Sequence, residues 1–194
     1  MSIANEVLLQ ALASRRSIKP KHLCTPAPSL QELSKLVQTA MRVPDHNLSI
    51  PYRFVVVEEK DRDKLARLYE QAARNLGACE DKVAKARSKA FKGPMIAAFI
   101  VRLSPQEEAG GTEALLTAGA ALGQFMQALA AAGFGGIVLS GSLLADASLQ
   151  SAFCRDAAEK LVAWISIGTP KPDAPKPMPE DRQPVLSVWE APQC

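Results

Sequence analysis

Two histidines and four widely spaced cysteines, Cys24, Cys79, Cys154 and Cys194, are all the imidazole and thiol ligands this 194-residue chain offers a zinc ion. No cysteine pair has CxxC spacing, so a zinc site is not expected. A chain of this size builds its own core without a disulfide framework, and the cysteines therefore point to a reducing, cytoplasmic setting. Charge of one sign is also scarce. Lys and Arg number 23 against 20 Asp and Glu, which leaves no basic footprint for nucleic acid. Residues Met1 to Leu12 lack a basic stretch ahead of an apolar run, so they do not read as a signal peptide. There is no GxGxxG fingerprint after a strand, and no conspicuous acid–base pair. No cysteine has a defined electropositive setting that would make it a nucleophile.

What is present is the balance of one globular domain, 47% apolar and 22% charged. Ala114 to Leu139 is apolar and long enough to raise the question of a membrane span. Gln124, Gln127 and the glycines Gly133, Gly135 and Gly136 interrupt it. A buried helix followed by a buried strand is the better reading, and no membrane partner is expected.

Ile3, Val7, Leu8 and Leu12 share one face of an opening helix that stops at Ser14-Arg15-Arg16-Ser17. Ser29, with Glu32 three residues on, has the pattern of a capping box for a helix that ends before Pro44. Phe54-Val55-Val56-Val57 marks a strand over Tyr52 to Glu58. Helices follow over Asp61 to Gly77, with Leu65, Leu68 and Ala72 inward, and over Glu80 to Ala90. The cationic run from Lys82 to Lys92 reads as a solvated helix face. Met95 to Val101 is a strand covered on both faces. A long helix to Ala132 carries Ala118, Gly119, Ala120, Ala121 and Gly123, and such a small-residue surface is expected to be buried all round. Gly136 to Ser140 and Leu161 to Ile167 are further strands, with a short helix over Ala147 to Phe153. Trp164 belongs in the core. Prolines from Pro170 onward make an extended arm, and Val185 to Trp189 reads as a last strand that needs an edge, a partner subunit being the natural one. Trp189 would anchor it.

Three constellations carry chemistry. Arg15-Arg16-Ser17 offers two guanidiniums and a hydroxyl to a phosphate; its plainer reading is a helix end decorated with cations. Met41-Arg42-Val43-Pro44-Asp45-His46 is a polar loop in which His46 is able to donate to a heterocycle carbonyl; the plainer reading has Asp45 capping a turn. Gly133-Phe134-Gly135-Gly136-Ile137-Val138-Leu139-Ser140-Gly141 allows close approach to a flat ligand, or is simply a helix stop and a buried strand.

Taken in order, with Ile167-Gly168-Thr169-Pro170 after them, these motifs resemble the nitroreductase family over about residues 5 to 172, in particular its small bacterial NAD(P)H nitroreductase branch. The resemblance implies an α+β fold, a three-layer α/β/α sandwich with a mixed, mainly antiparallel sheet. The chain would be one domain over 1–194, its arm over 170–194 reaching the partner subunit. It implies a homodimer with FMN at the subunit interface and NAD(P)H as co-substrate. Hydride would pass through the flavin to a small acceptor such as a nitroaromatic or quinone, with no side chain needed as acid or base. The residues implied at the flavin are Arg15, Arg16, Ser17, Ile50, Leu139, Ser140 and Gly141, with His46 supplied by the partner chain. Two positions depart from the branch. Leu139 stands where relatives tend to carry a phosphate-facing arginine, in Trp-Arg-Ser, and Ile50 where they often carry the glutamine of Gln-Pro-Trp. These losses motivate a second reading, a flavin-poor or flavin-free dimeric binding or regulatory protein.

Overall fold

The computed structural model describes residues 3–45, 49–103, 110–175 and 185–189. The helices among them are Ile3–Ser14 (α1), Leu30–Ala40 (α2), Arg62–Asn75 (α3), Glu80–Ser88 (α4), Gly110–Ala131 (α5) and Ala147–Phe153 (α6). The strands are Leu23–Cys24 (β1), Tyr52–Val57 (β2), Met95–Arg102 (β3), Gly135–Leu139 (β4) and Glu159–Pro170 (β5). Local chemistry sets several of these boundaries. The Ser29 hydroxyl accepts from the Glu32 N–H at 3.2 Å while the Glu32 carboxylate accepts from the Ser29 N–H at 2.8 Å, the expected capping box at the start of α2. At the end of α5, Gly133 takes φ 81° and the Phe134 N–H reaches back to the Leu129 carbonyl at 2.9 Å. That left-handed turn is where a glycine costs least.

β5 organises the sheet. It pairs antiparallel with β3 through residues 159 to 167, with β4 through 164 to 168, and with β1 at Thr169 and Pro170. β2 adds antiparallel to β3, so all four pairings among the described residues are antiparallel. β3 shows why its sequence is apolar without alternation. Ile96, Ala98 and Ile100 pack with α3, α4 and α6 on one face, and Ala97, Phe99 and Val101 with α2 and α5 on the other. Two core clusters, one on each side of the sheet, make the three-layer sandwich. On the α5 side Phe54 stacks on Phe99 and Phe125 at centroid separations of 4.9 and 4.6 Å; on the other, Trp164 meets Tyr69 edge-on at 5.4 Å.

One expectation needs correction. α5 is not buried all round. Ala118, Ala121, Phe125 and Leu129 face the sheet, but Leu115, Leu116, Gly119, Ala120 and Gly123 are exposed, because only one helical layer covers this side of the sheet. Within the single chain Val185 to Trp189 pairs with no strand, and Trp189 is 81% exposed. The sheet edge this segment was expected to need is not supplied by its own chain. β5 itself runs through Pro170, so the chain leaves the sheet only after that residue.

An ion pair fastens β2 to the start of β5. Arg53 donates Nε and Nη2 to the two oxygens of Glu159 at 2.9 and 2.7 Å, and the Arg155 N–H adds a third donor at 2.7 Å. The Arg53 hydrogen bonds pull the Glu159 carboxyl down to about 2. Because the folded value lies below the ordinary one, the stabilisation is complete above about pH 4.5 and disappears as pH falls towards 2. Glu159→Gln is expected to cost about 2–3 kcal/mol at pH 7 and to flatten the decline of melting temperature between pH 5 and 2.5. A variant that keeps the wild-type acid decline would show that other carboxylates govern it.

Candidate functional site

Arg15 and Arg16 follow the last turn of α1, where Ser14 closes the helix by donating to the Ala11 carbonyl at 2.9 Å. The chain then runs beside β4, tied to it by the Ile18 N–H donating to the Gly136 carbonyl at 2.9 Å. This brings both arginines to a cleft of about 180 Å³ walled by Met126 and Ala130 of α5 and by Gly133 to Gly136. Both side chains are half-buried, and the Nε of Arg16 is buried without a hydrogen-bond partner among the described residues. Ser17 is exposed and does not line the cleft.

Leu139, Ser140 and Gly141 lie at the other end of β4, about 13 Å along the strand from Gly135. They line a second cavity, of about 270 Å³, with Trp164, Tyr69 and Ile96 as apolar walls and Lys89 and Lys92 at its polar side. Leu139 is 39% exposed, so its side chain is outside the core. The two clefts flank one strand, but the arginine pair and the strand end do not share a pocket in the single chain.

The glycines of β4 serve packing more than a ligand. A Cβ on Gly136 would fall 2.8 Å from the Ser166 carbonyl oxygen, and one on Gly135 2.7 Å from Ile18 Cδ1. Neither space exists. A Cβ on Gly141 meets nothing within 4 Å, which leaves that backbone open to the second cavity.

His46 lies outside the described residues, but both ends of its loop are fixed. Asp45 accepts from the Ser49 hydroxyl at 3.1 Å and from the Ile50 N–H at 2.7 Å, the capping role expected of it. The loop is also held to α5, where the Thr117 hydroxyl donates to the Pro44 carbonyl at 3.2 Å. Ile50 takes φ 44°, a costly conformation for a β-branched residue. It borders a groove between α2 and β2 that neither Arg15 nor Leu139 touches. The strand register gives the separation. Tyr52 aligns with Val101 and thence Lys160, eight residues along β5 from the partner of Gly135, and β3 and β5 lie between β2 and β4. About 30 Å therefore separates Tyr52 from Gly135 at the arginine cleft, and about 20 Å separates it from Leu139, with Ile50 two residues farther along the chain.

Residue-by-residue reading missed three members of the second cavity. Lys89 and Lys92 are exposed, as a solvated face requires, but α4 ends at Ser88 and both lysines sit in the turn beyond it, at the edge of this cavity. Gly93-Pro94 was the available signal that the helix could not carry them. Ser166 lines the same cavity from the middle of β5, and no sequence pattern marks it.

Comparison with known proteins bears on this arrangement. A sequence model described as the Nitroreductase family matches residues 12–169. YdjA of Escherichia coli (strain K12), provisionally named an NAD(P)H nitroreductase, is 32% identical over 164 residues, 84% of this chain and 88% of YdjA. Among solved structures, a nitroreductase-like family protein from Bacillus cereus superposes with a TM-score of 0.78 at 20% identity, covering 98% of this chain and 97% of that one. The FMN and NADPH-dependent nitroreductase NfnB from Sphigopyxis sp. strain HMH gives 0.70 at 15% identity, covering 94% and 98%. The order of motifs, the three-layer antiparallel sandwich and the family match agree: the chain belongs to the nitroreductase family.

Proposed function

We propose that the protein is an FMN-dependent oxidoreductase that takes hydride from NAD(P)H and delivers it to a small oxidised acceptor, a nitroaromatic or quinone. The observation that carries this reading is the arginine cleft. Two half-buried guanidiniums meet beside β4, and one retains an unpartnered buried N–H. A buried donor left unmatched costs about 1–3 kcal/mol, and a phosphate oxygen would relieve it. The cofactor of NfnB, FMN, carries that phosphate. Bound here, FMN would supply the two-electron chemistry itself. The chain's part is to grip the phosphate at Arg15 and Arg16, with Ser17 beside them, and to receive the ring near Ser140 and Gly141 at the far end of β4.

The distances also favour a homodimer with the flavin between subunits. Arg15 and Ile50 are too far apart in one chain to touch one flavin, so His46 and Ile50 would come from the second copy. α5 offers the means. Its outer face bears Leu115, Leu116, Gly119 and Gly123 in the open, and a Cβ on either glycine meets nothing within 4 Å. Thr117, which holds the Pro44 loop, and Ala130, which lines the arginine cleft, lie six and seven residues to either side of Gly123. A two-fold axis near Gly123, with the helices antiparallel, would carry the second copy's loop to the arginine cleft of the first. The exposed α1 face and the bare Val185 to Trp189 segment would be covered in the same assembly, the arm over 170–194 completing a single FMN-binding domain over 1–194. The free thiols of Cys24, Cys79 and Cys154 support a reducing, cytoplasmic setting.

Purified protein is expected to be yellow and to release FMN on denaturation. Arg15→Ala or Arg16→Ala should each weaken FMN by one to two decades in titrations of the apoprotein, the worth of one charge-assisted bond of about 1.5–3 kcal/mol. A colourless protein that FMN titration leaves unchanged would instead favour the flavin-free reading motivated by Leu139 and Ile50. Gly123→Leu adds a side chain where the single chain has room, so the fold should survive while light scattering reports monomers. Deleting the chain after Pro184 should weaken the dimer and lower its flavin content. A truncated dimer as tight as the full chain would remove the arm from the interface.

A further inference from the structure

Ile50 is held in a conformation that its own side chain opposes. Its φ of 44° is left-handed, where a β-branched residue is crowded against the backbone, and the following Pro51 restricts it further. The conformation gives no core contact in return, because Ile50 stays 43% exposed at the rim of the groove between α2 and β2. Asparagine or glycine would occupy the position at lower cost. Backbone strain that serves no packing marks a residue retained for function.

The neighbours over-determine this backbone. Asp45 accepts from the Ile50 N–H at 2.7 Å and is itself steadied by the Ser49 hydroxyl at 3.1 Å. The Pro51 carbonyl accepts from the Arg102 N–H at 2.8 Å, which ties the next residue to β3. Tyr52, 8% exposed, donates its hydroxyl to the Ala40 carbonyl at 3.0 Å, so the start of β2 is tied to the end of α2. Thr117, 6% exposed, reaches from α5 to the Pro44 carbonyl at 3.2 Å. Ile50 is therefore two hydrogen bonds removed from α5, the helix whose bare outer face is expected to meet the second copy. The outcome is an apolar side chain shown to solvent on a backbone that does not yield. Such a surface loses little freedom when a ligand meets it.

We propose that Ile50 is a specificity-determining residue for the electron acceptor, and that Asp45 and Thr117 are positioning residues that act through it. This rests on the reading that FMN lies between two subunits, which carries the loop of one copy to the flavin of the other. There Ile50 meets the acceptor with a hydrocarbon surface, at the position where the resemblance places the amide of a glutamine. The site then favours uncharged, flat acceptors such as alkylated quinones. A nitroaromatic bearing a carboxylate would lose water against Ile50 without gaining a hydrogen bond.

Ile50→Asn is the first test, since asparagine adopts a left-handed φ readily. With each variant saturated in FMN, the readout is the ratio of kcat/KM for menadione to that for para-nitrobenzoate. Ile50→Asn should lower this ratio about tenfold, while its apoprotein melts at the wild-type temperature or above because strain is relieved. Asp45→Ala and Thr117→Val should lower the same ratio with Ile50 still in place. Asp45→Asn keeps an acceptor and Thr117→Ser keeps the hydroxyl, so each should recover most of it. Asp45→Ala added to Ile50→Asn should lower the ratio no further, because both act at one contact. An unchanged ratio in Ile50→Asn overturns the inference. So does an apoprotein of that variant that melts several degrees lower, which would make the side chain structural. A lowered ratio in Ile50→Asn beside wild-type ratios in Asp45→Ala and Thr117→Val overturns the two positioning roles. Wild-type protein that binds no FMN would overturn the functional reading and this one with it.

Discussion

Everything in this molecule is hung on β5. Twelve residues long and paired with three other strands, it is the member held on both edges at its centre, between β3 and β4 over residues 164 to 167. Its side chains must then serve two cores at once. Leu161 and Trp164 enter the α3 side, while Ala163, Ile165 and Ile167 enter the α5 side. Such a strand tolerates no exposed face.

The same strand fixes the distances that matter. Both clefts border β4, which is aligned residue by residue on β5, so the arginine cleft and the lysine cavity are held about 13 Å apart by a rigid ruler. The Asp45–Ile50 loop is fixed far away at the start of β2. A functional site drawing on all three places would need a second chain.

α5 shows how one helix serves two purposes. Its inner stripe, Ala118, Ala121, Phe125 and Leu129, locks it to the sheet. Its outer stripe of glycine, alanine and leucine has nothing to pack against in the single chain. By length and composition alone Gly111–Ala131 would pass for a membrane span; the packing of its inner face against the sheet accounts for the apolar residues on that side.

The element boundaries were legible in the sequence because they depend on local chemistry. The Ser29–Glu32 capping box, the Gly133 stop and the continuous apolar run of Met95 to Val101 each state a requirement that neighbours in sequence satisfy. The candidate site was only partly legible. Arg15 and Arg16 were visible as paired cations, and Asp45 as a loop cap. Lys89, Lys92 and Ser166 were not, because their significance comes from Arg62 pinning a turn, from Gly93 having no side chain, and from a strand register that aligns residue 166 with residues 96 and 137. The sequence by itself determined which segments are helix and strand and which cations follow the first helix. Only the tertiary structure decided which charges meet a cavity, which faces stay bare and how far apart the clefts lie, since pairing and packing join residues that are distant along the chain.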